Sequence, residues 1–228
     1  MRHWPEGFSF PACTQCNQAT KHDEQKIAML SRLSPDPESA EQEKEMRNVM
    51  AAVARNYPDM FREIRPSPQR VRQFFAKRGQ RKPLDVLTSE VPVLFLGGPI
   101  VATAMEAFAR KLLLGLHYTE TGQIVSHSGG ILWHWYTNVQ AVENELPSAT
   151  IRLFGGSRPL QRAQRNLREQ FDYRFGIGPG EEFAGYFAWF RAAFAILGIV
   201  SKNEEHLPRP PETSSWKIIH PYSWPEGK

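Results

Sequence analysis

The stretch FDYRFGIGPGEEFAGYFAWFRAAFAILGIV, residues 171–200, decides the fold class of this chain. Its first part, FDYRFGI, alternates large apolar side chains with the charged Asp172 and Arg174, which is the period of two of a β-strand. The GPGE that follows at 178–181 is typical of a hairpin turn. The aromatic residues of 183–197 also fit a helical period, but this segment leaves a turn directly and ends in the β-rich ILGIV. We therefore expect strands throughout this stretch.

Two further segments have the composition of strands, and a third segment has the periodicity of a helix. ILWHWYTN (131–138) and ATIRLF (149–154) are rich in β-branched and aromatic residues and predict strands. From Ile100 to about Tyr118 the apolar residues recur at helical spacing, which predicts a long helix with one buried face. The sequence therefore predicts an α+β fold with a long central helix and an antiparallel β-sheet of about four to six strands.

The N-terminal third is predicted to be helical. Thr20, Ser39 and Ser67 are suitable N-caps, and Ser39 with Gln42 has the spacing of a reciprocal capping box. We expect a helical region over 25–85 and an α+β core over 86–202. The proline-rich tail, 203–228, is expected to be an irregular arm. All of these segments are expected to form one compact domain.

Length and composition exclude several classes of protein. With 228 residues and 41% hydrophobic content the chain can bury a full core, which excludes a disordered or coiled-coil protein. Its two cysteines are too close in sequence for a secreted disulfide framework, which favours a cytoplasmic location. The N-terminus lacks the apolar stretch of a signal peptide. The most apolar segments are interrupted by prolines and glycines or by Arg191, so we expect no membrane span.

Basic residues concentrate in two regions, although the formal net charge is only +4. Between Arg62 and Lys82 eight cations accompany a single acid, Glu63. Arg158, Arg162, Arg165 and Arg168 would share one face if their segment were helical. Such clusters either contact nucleic acid phosphates or form a solvated surface. The candidate nucleic-acid-binding residues are Arg70, Arg72, Lys77, Arg78, Arg81, Lys82, Arg158, Arg162 and Arg165.

The two cysteines, Cys13 and Cys16, have the C-x-x-C spacing of half a zinc knuckle. A tetrahedral site needs two more ligands, and the histidines nearest in sequence are His3 and His22. We therefore expect zinc to be possible but the site to be incomplete. The structural alternative is a pair of small, partly buried side chains in a turn before a helix. A redox function is disfavoured because no βαβ pattern surrounds the pair.

The context of the cysteines, WPEGFSFPACTQCN at 4–17, resembles the loop and second zinc knuckle of the HNH (His-Me finger) endonucleases. In that family the knuckle opens a helix. By this resemblance Cys13 and Cys16 match the second zinc pair, and Asn17 matches the last residue of the HNH triad, which makes it a candidate catalytic residue. The run at 111–138 is also similar to the helix and strand that accompany the knuckle in longer members. The resemblance implies a nucleic-acid-related function, with DNA or RNA as partner.

One part of the family motif differs in this chain. The family's first histidine, which activates water, belongs to a segment before this loop, and the chain starts at Met1 within the loop. His3 is the one histidine before the knuckle, and its neighbours do not reproduce the family's pattern. We therefore interpret 1–24 as a remnant of the motif and expect catalysis to be impaired. The alternatives are a non-enzymatic α+β interaction domain and a hydrolase site around His127, between Ser126 and Ser128.

Overall fold

The computed structural model describes residues 12, 14–33, 39–65, 67–77, 94–142, 146–158, 160–162 and 165–222, and it confirms the α+β prediction. The helices are α1 (Thr14–Leu30), α2 (Ala40–Asn56), α3 (Pro58–Ile64), α4 (Pro68–Lys77), α5 (Pro99–Thr121), α6 (Asn138–Val142) and α7 (Ser148–Leu153). The strands are β1 (Gly130–Thr137), β2 (Gly156–Ser157), β3 (Gln161–Arg162), β4 (Arg165–Asn166), β5 (Asp172–Ile177), β6 (Phe183–Phe190), β7 (Phe194–Ser201) and β8 (Lys217–Ile219).

An antiparallel six-stranded sheet with the order β2-β5-β6-β7-β1-β8 forms the centre of the described chain. Residues 171–200 supply three neighbouring strands of it, as predicted. The turn between β5 and β6 contains Gly180 in the left-handed region at φ 64°, a conformation that glycine adopts without strain. Both faces of β6 and β7 are buried, which explains why their apolar residues are nearly continuous and also fit a helical period.

The long helix α5 packs across one face of the sheet, which we call the α5 face. Met105, Leu113 and Leu116 are fully buried there. The approach to β7 is close at Gly198, where an added Cβ would lie 2.4 Å from a methyl group of Leu113. At its N-terminus α5 is capped from another helix, because the Glu63 carboxylate of α3 accepts hydrogen bonds from the backbone N–H groups of Ile100 and Val101, both at 2.9 Å.

The opposite face of the sheet carries a smaller apolar cluster that α7 covers. The strand predicted over 149–154 is wrong, since these residues form most of α7. Ile151 and Phe154 both pack on the cluster, whereas Leu153 is 78% exposed. A spacing of three matches one turn of a helix, and a strand would have placed Ile151 and Leu153 on the same face.

Helices α1 and α3 pack on α5, and α2 packs on both of them. Ser39 caps α2 as predicted, with its hydroxyl accepting from Gln42 N at 3.2 Å. Thr20 is not a cap: α1 begins at Thr14, and Thr20 is buried within the helix. The short helix α3, which has Pro58 in its first turn, was not predicted. The final part of the predicted helical region, 78–85, lies outside the described residues.

The C-terminal tail is more regular than predicted, because it returns to the sheet and pairs β8 with β1. In the described part of the chain, no helix combines the length and the apolar character that a membrane span requires.

Candidate functional site

The first turn of α1 carries Cys16 and Asn17, so the described half of the C-x-x-C-N motif stands at a helix start. Cys16 is partly buried and Asn17 is exposed. The Asn17 side-chain oxygen accepts a hydrogen bond of 2.7 Å from the ammonium of Lys111 on α5. Cys13 and His3 lie outside the described residues.

Lys111 lies in a compact polar contact between α1 and α5. Besides Asn17, its ammonium contacts Glu24 Oε1 at 2.5 Å and Thr20 Oγ1 at 3.4 Å. Thr20 in turn donates to Glu24 at 2.8 Å. We call these four residues the Lys111 cluster. The side chains of Lys111 and Glu24 are only 20% and 28% exposed, so this ion pair is partly shielded from solvent. The cluster joins the two helices and places a positive charge directly against the Asn17 oxygen.

His22, the other proposed metal ligand of the described chain, lies in a hydrogen-bonded chain with α2. Its Nδ1 is 2.7 Å from the Tyr57 hydroxyl, which donates to Gln25 Oε1 at 2.7 Å. Desolvation, together with the charge of Asp23, raises the pKa of Tyr57. Among the described residues no group of three or more histidine, cysteine or acidic side chains is arranged to hold a metal ion.

Helix α4 presents part of the first predicted basic region to solvent. Arg70 and Arg72 are exposed, while Val71 between them is fully buried. Ser67 accepts from Arg70 N at 3.3 Å and so caps the helix. The Arg70 guanidinium also lies 5.7 Å from the centre of the Phe95 ring. We call Arg70 and Arg72 the α4 basic surface. The side chain of Lys77, and Arg78, Arg81 and Lys82, lie outside the described residues.

The second basic region does not have the helical geometry that a shared arginine face requires. Arg162 lies in β3 and Arg165 in β4, whereas Arg158 and Arg168 lie outside the strands. Two buried leucines hold this hairpin, with Leu167 N donating to Leu160 O at 2.9 Å. Arg162 and Arg165 are paired across β3 and β4.

Arg158 and Arg168 of the same region make ion pairs within the protein. Arg158 Nε lies 3.3 Å from Glu120 Oε1, and Arg168 Nε lies 3.1 Å from Asp172 Oδ2. Their charges are therefore partly neutralised, which makes them weaker candidates for phosphate contacts.

A buried polar network between α5 and the sheet was not predicted from the sequence. His117 is 1% exposed, its Nδ1 lies 3.3 Å from the Tyr186 hydroxyl, and its Nε2 has no hydrogen-bond partner among the described residues. Close by, Tyr173 donates to Glu120 at 2.6 Å. Burial lowers the pKa of His117, the charge of Lys202 lowers it further, and Glu181 opposes both effects. Burial is also the main cause of the raised pKa of Tyr173 and Tyr186. The spacing of three residues between His117 and Glu120 indicates that both lie on the same side of α5. Their partners, Tyr186 and Tyr173, lie far away in sequence and could not be inferred from it.

The loop around His127 does not assemble a nucleophile and base in the described chain. The hydroxyl oxygens of Ser126 and Ser128 lie 2.8 Å from each other, and both approach the Lys202 carbonyl at 3.4 Å. The His127 ring stacks on Tyr222, with 4.3 Å between ring centres. These contacts describe a polar loop that is tied to the C-terminal tail.

Comparison with known proteins found no similar protein: no family model matches the chain, and neither does a curated protein or a solved structure.

Proposed function

We propose that this chain is an HNH-endonuclease-like protein that binds nucleic acid through the α4 basic surface and does not cleave it at Asn17. The observation that carries the proposal is the orientation of α4. Its buried Val71 anchors the helix, and Arg70 and Arg72 project into solvent on either side of it in sequence. Neither guanidinium forms an ion pair with an acidic group of the described residues, so both charges are accessible to phosphate oxygens.

The position of α1 supports the relationship to the HNH family. In that family the second knuckle leads into a helix, and here α1 begins at Thr14, between the two cysteines in sequence. Asn17 lies in the first turn of this helix, and this position supports the proposal.

The Lys111 cluster supports binding without cleavage. The Asn17 oxygen that would face a metal ion already accepts a hydrogen bond from an ammonium group. A divalent cation at this oxygen would have to displace the ammonium of Lys111, which the ion pair with Glu24 holds in place. We therefore assign Asn17 to the contact between α1 and α5.

Fluorescence anisotropy with a labelled DNA duplex tests the binding proposal. We expect binding at low salt that weakens steeply between about 50 and 200 mM salt, because phosphate contacts release counterions. Arg72→Glu should weaken binding and reduce the slope of log K against log salt by about one or more. Arg152→Glu is the matched control, since it makes the same charge change at an exposed position of α7, on the opposite face of the sheet. Equal effects of the two variants, or no binding at low salt, would refute the proposal.

A cleavage assay tests the assignment of Asn17. Plasmid DNA incubated with the chain and Mg²⁺ or Mn²⁺ should stay intact, and Asn17→Ala should leave DNA binding unchanged while lowering the melting temperature slightly. Metal-dependent nicking that disappears in Asn17→Ala would show that this residue is catalytic.

A further inference from the structure

A small apolar pocket lies between the helices α1, α2 and α3. Its volume is about 250 Å³, just below the range of sites that hold drug-sized ligands. We call it the α3 pocket, and the residues that line it are Met29, Leu33, Met50, Phe61, Arg62, Ile64, Arg65 and Leu94. It shares no residue with the Lys111 cluster or with the α4 basic surface, so neither of those features accounts for it.

The α3 pocket has a buried apolar floor and an exposed rim. Met29 is 1% exposed and Ile64 is 3% exposed, so these two side chains form the floor. At the rim, Leu94 is 42% exposed although its side chain is large and apolar. Methionine has a flexible and polarisable thioether, so Met29 and Met50 can adjust to the shape of an apolar ligand. The pocket therefore offers apolar surface that the described residues leave uncovered.

The charges at the rim of the α3 pocket are positive. Two of its lining residues are charged, and both are exposed arginines, Arg62 and Arg65. Arg62 forms an ion pair with Asp59 of the same helix, in which both side chains are largely exposed. Arg65 has no ion pair or side-chain hydrogen bond among the described residues, so its guanidinium donors are open to a ligand. Because no acidic residue lines the pocket, charge complementarity favours an anionic group at the rim.

We propose that the α3 pocket binds a free medium-chain carboxylic acid, with the alkyl chain against Met29 and Ile64 and the carboxylate at Arg65. Burial of the chain supplies most of the affinity, and the guanidinium of Arg65 selects the carboxylate through charge-assisted hydrogen bonds. A methylene group occupies about the volume of a water molecule, about 30 Å³, so a pocket of 250 Å³ accommodates a chain of roughly eight carbons. The proposal does not depend on nucleic acid binding, because neither Arg70 nor Arg72 lines the pocket.

Isothermal titration calorimetry with linear carboxylates from butanoate to dodecanoate, each below its critical micelle concentration, tests the fit of the chain. We expect the affinity to rise about three- to fourfold with each added methylene, the effect of burying one CH₂ group, and to stop rising at about eight carbons. 1-Octanol should bind several-fold more weakly than octanoate, because it lacks the charge-assisted hydrogen bonds to Arg65.

Variants at the rim test the charges. Arg65→Gln should weaken octanoate binding several-fold and leave 1-octanol binding unaffected, whereas Arg152→Gln, at an exposed position of α7, is the control and should change neither. Asp59→Asn should tighten octanoate binding, since Arg62 loses its competing carboxylate. A change in folding alone would not produce this gain, and melting curves confirm that each variant is folded.

Variants of Leu94 test the size of the pocket. Because Leu94 is at the exposed rim, a larger side chain can fit there without disturbing the core. Leu94→Trp should fill part of the pocket and abolish octanoate binding, while Leu94→Ala should move the plateau of affinity to longer carboxylates. In NMR spectra of the full chain labelled with [methyl-¹³C]methionine, octanoate should shift the resonances of Met29 and Met50. The resonance of Met105, which is fully buried on the α5 face, should not move.

Three results would overturn the proposal. Equal affinity for octanoate and 1-octanol would remove the role of the arginines. An affinity that keeps rising up to dodecanoate would mean that the chains lie on an open surface. Flotation with vesicles that contain phosphatidylserine, without binding of free octanoate, would show a membrane-binding surface in place of a pocket.

Discussion

At the scale of single residues, the clearest electrostatic feature is His117, an imidazole that is 1% exposed. Its neighbours are the Tyr186 hydroxyl and, at longer range, the charges of Lys202 and Glu181. Protonation would place a positive charge in the core beneath the sheet, with one hydroxyl as its contact. The neutral form is therefore favoured in the folded protein.

This burial predicts a pH dependence of stability. Because the pKa of His117 is lowered on folding, the unfolded chain takes up a proton more readily. The contribution of neutral His117 to the free energy of unfolding is complete above the pKa of the unfolded chain, about 6.5. It is lost as the pH falls through the lower pKa of the folded protein, at up to about 1.4 kcal/mol per pH unit. Urea unfolding at closely spaced pH values measures this slope. His117→Gln keeps a hydrogen-bonding partner for Tyr186 and should flatten the slope below pH 6.5; an unchanged slope would assign it to other groups.

The same scale shows where residue-level prediction failed. The sequence indicated Asn17 as a site residue and implied that α1 opens close to it, but nothing near Asn17 in sequence indicated Lys111, 94 residues further along. The Lys111 contact depends on how α1 packs on α5, and packing of two helices does not follow from their separate periodicities. The arginines from 158 to 168 would share one face only if their segment were helical, and it forms a hairpin with two buried leucines instead.

At the scale of elements, prediction succeeded where one local pattern decided the outcome. The alternation in β5 and the apolar repeat of α5 both predicted the observed elements, because each follows a single period. The prediction that α5 has one buried face is wrong, since the sheet and the helices α1 and α3 all pack on it. α7 was taken for a strand because β-branched and aromatic residues also suit a helix that covers a sheet. In such a short segment, the spacing of Ile151 and Phe154, which pack on the apolar cluster, decides the secondary structure more than residue propensity does.

The contact between α5 and β7 gives a prediction at this scale. A Cβ added at Gly198 would lie 2.4 Å from Leu113 Cδ1, and Leu113 is fully buried. Gly198→Ala should therefore destabilise the protein by about 1–3 kcal/mol through overpacking. Chemical denaturation measures the loss. Gly97→Ala is the control, because no atom lies within 4 Å of its added Cβ.

A second substitution shows whether the clash is the cause. Leu113→Ala removes the methyl groups that Gly198→Ala would meet, so the double variant should be more stable than the sum of the two single effects predicts. Strict additivity would mean that the strand loses stability for a reason unrelated to α5.

At the scale of the whole molecule, the tail completes the sheet that the central stretch begins. β7 and β8 flank β1 on its two sides, so residues of the C-terminal tail protect a strand that lies much earlier in the sequence. The prolines of the tail predicted an irregular arm, and the described ones, at 208, 210, 211 and 221, do lie outside the strands. What composition could not show is that Lys217 to Ile219 would pair with β1, since three residues are too few for a strand pattern.

This arrangement predicts that the tail stabilises β1 locally. Ile219 is 6% exposed and pairs with Ile131 in the core on the α5 face. Ile219→Ala should cost about 2–4 kcal/mol, and more than Ile218→Ala, because Ile218 is only partly buried. Hydrogen exchange measured by mass spectrometry should then show faster exchange in peptides that contain β1, while peptides from β6 keep their protection, since β6 pairs with β5 and β7. An equal increase in every strand would mean that β8 opens only when the whole protein unfolds, in which case the tail is part of a single cooperative unit.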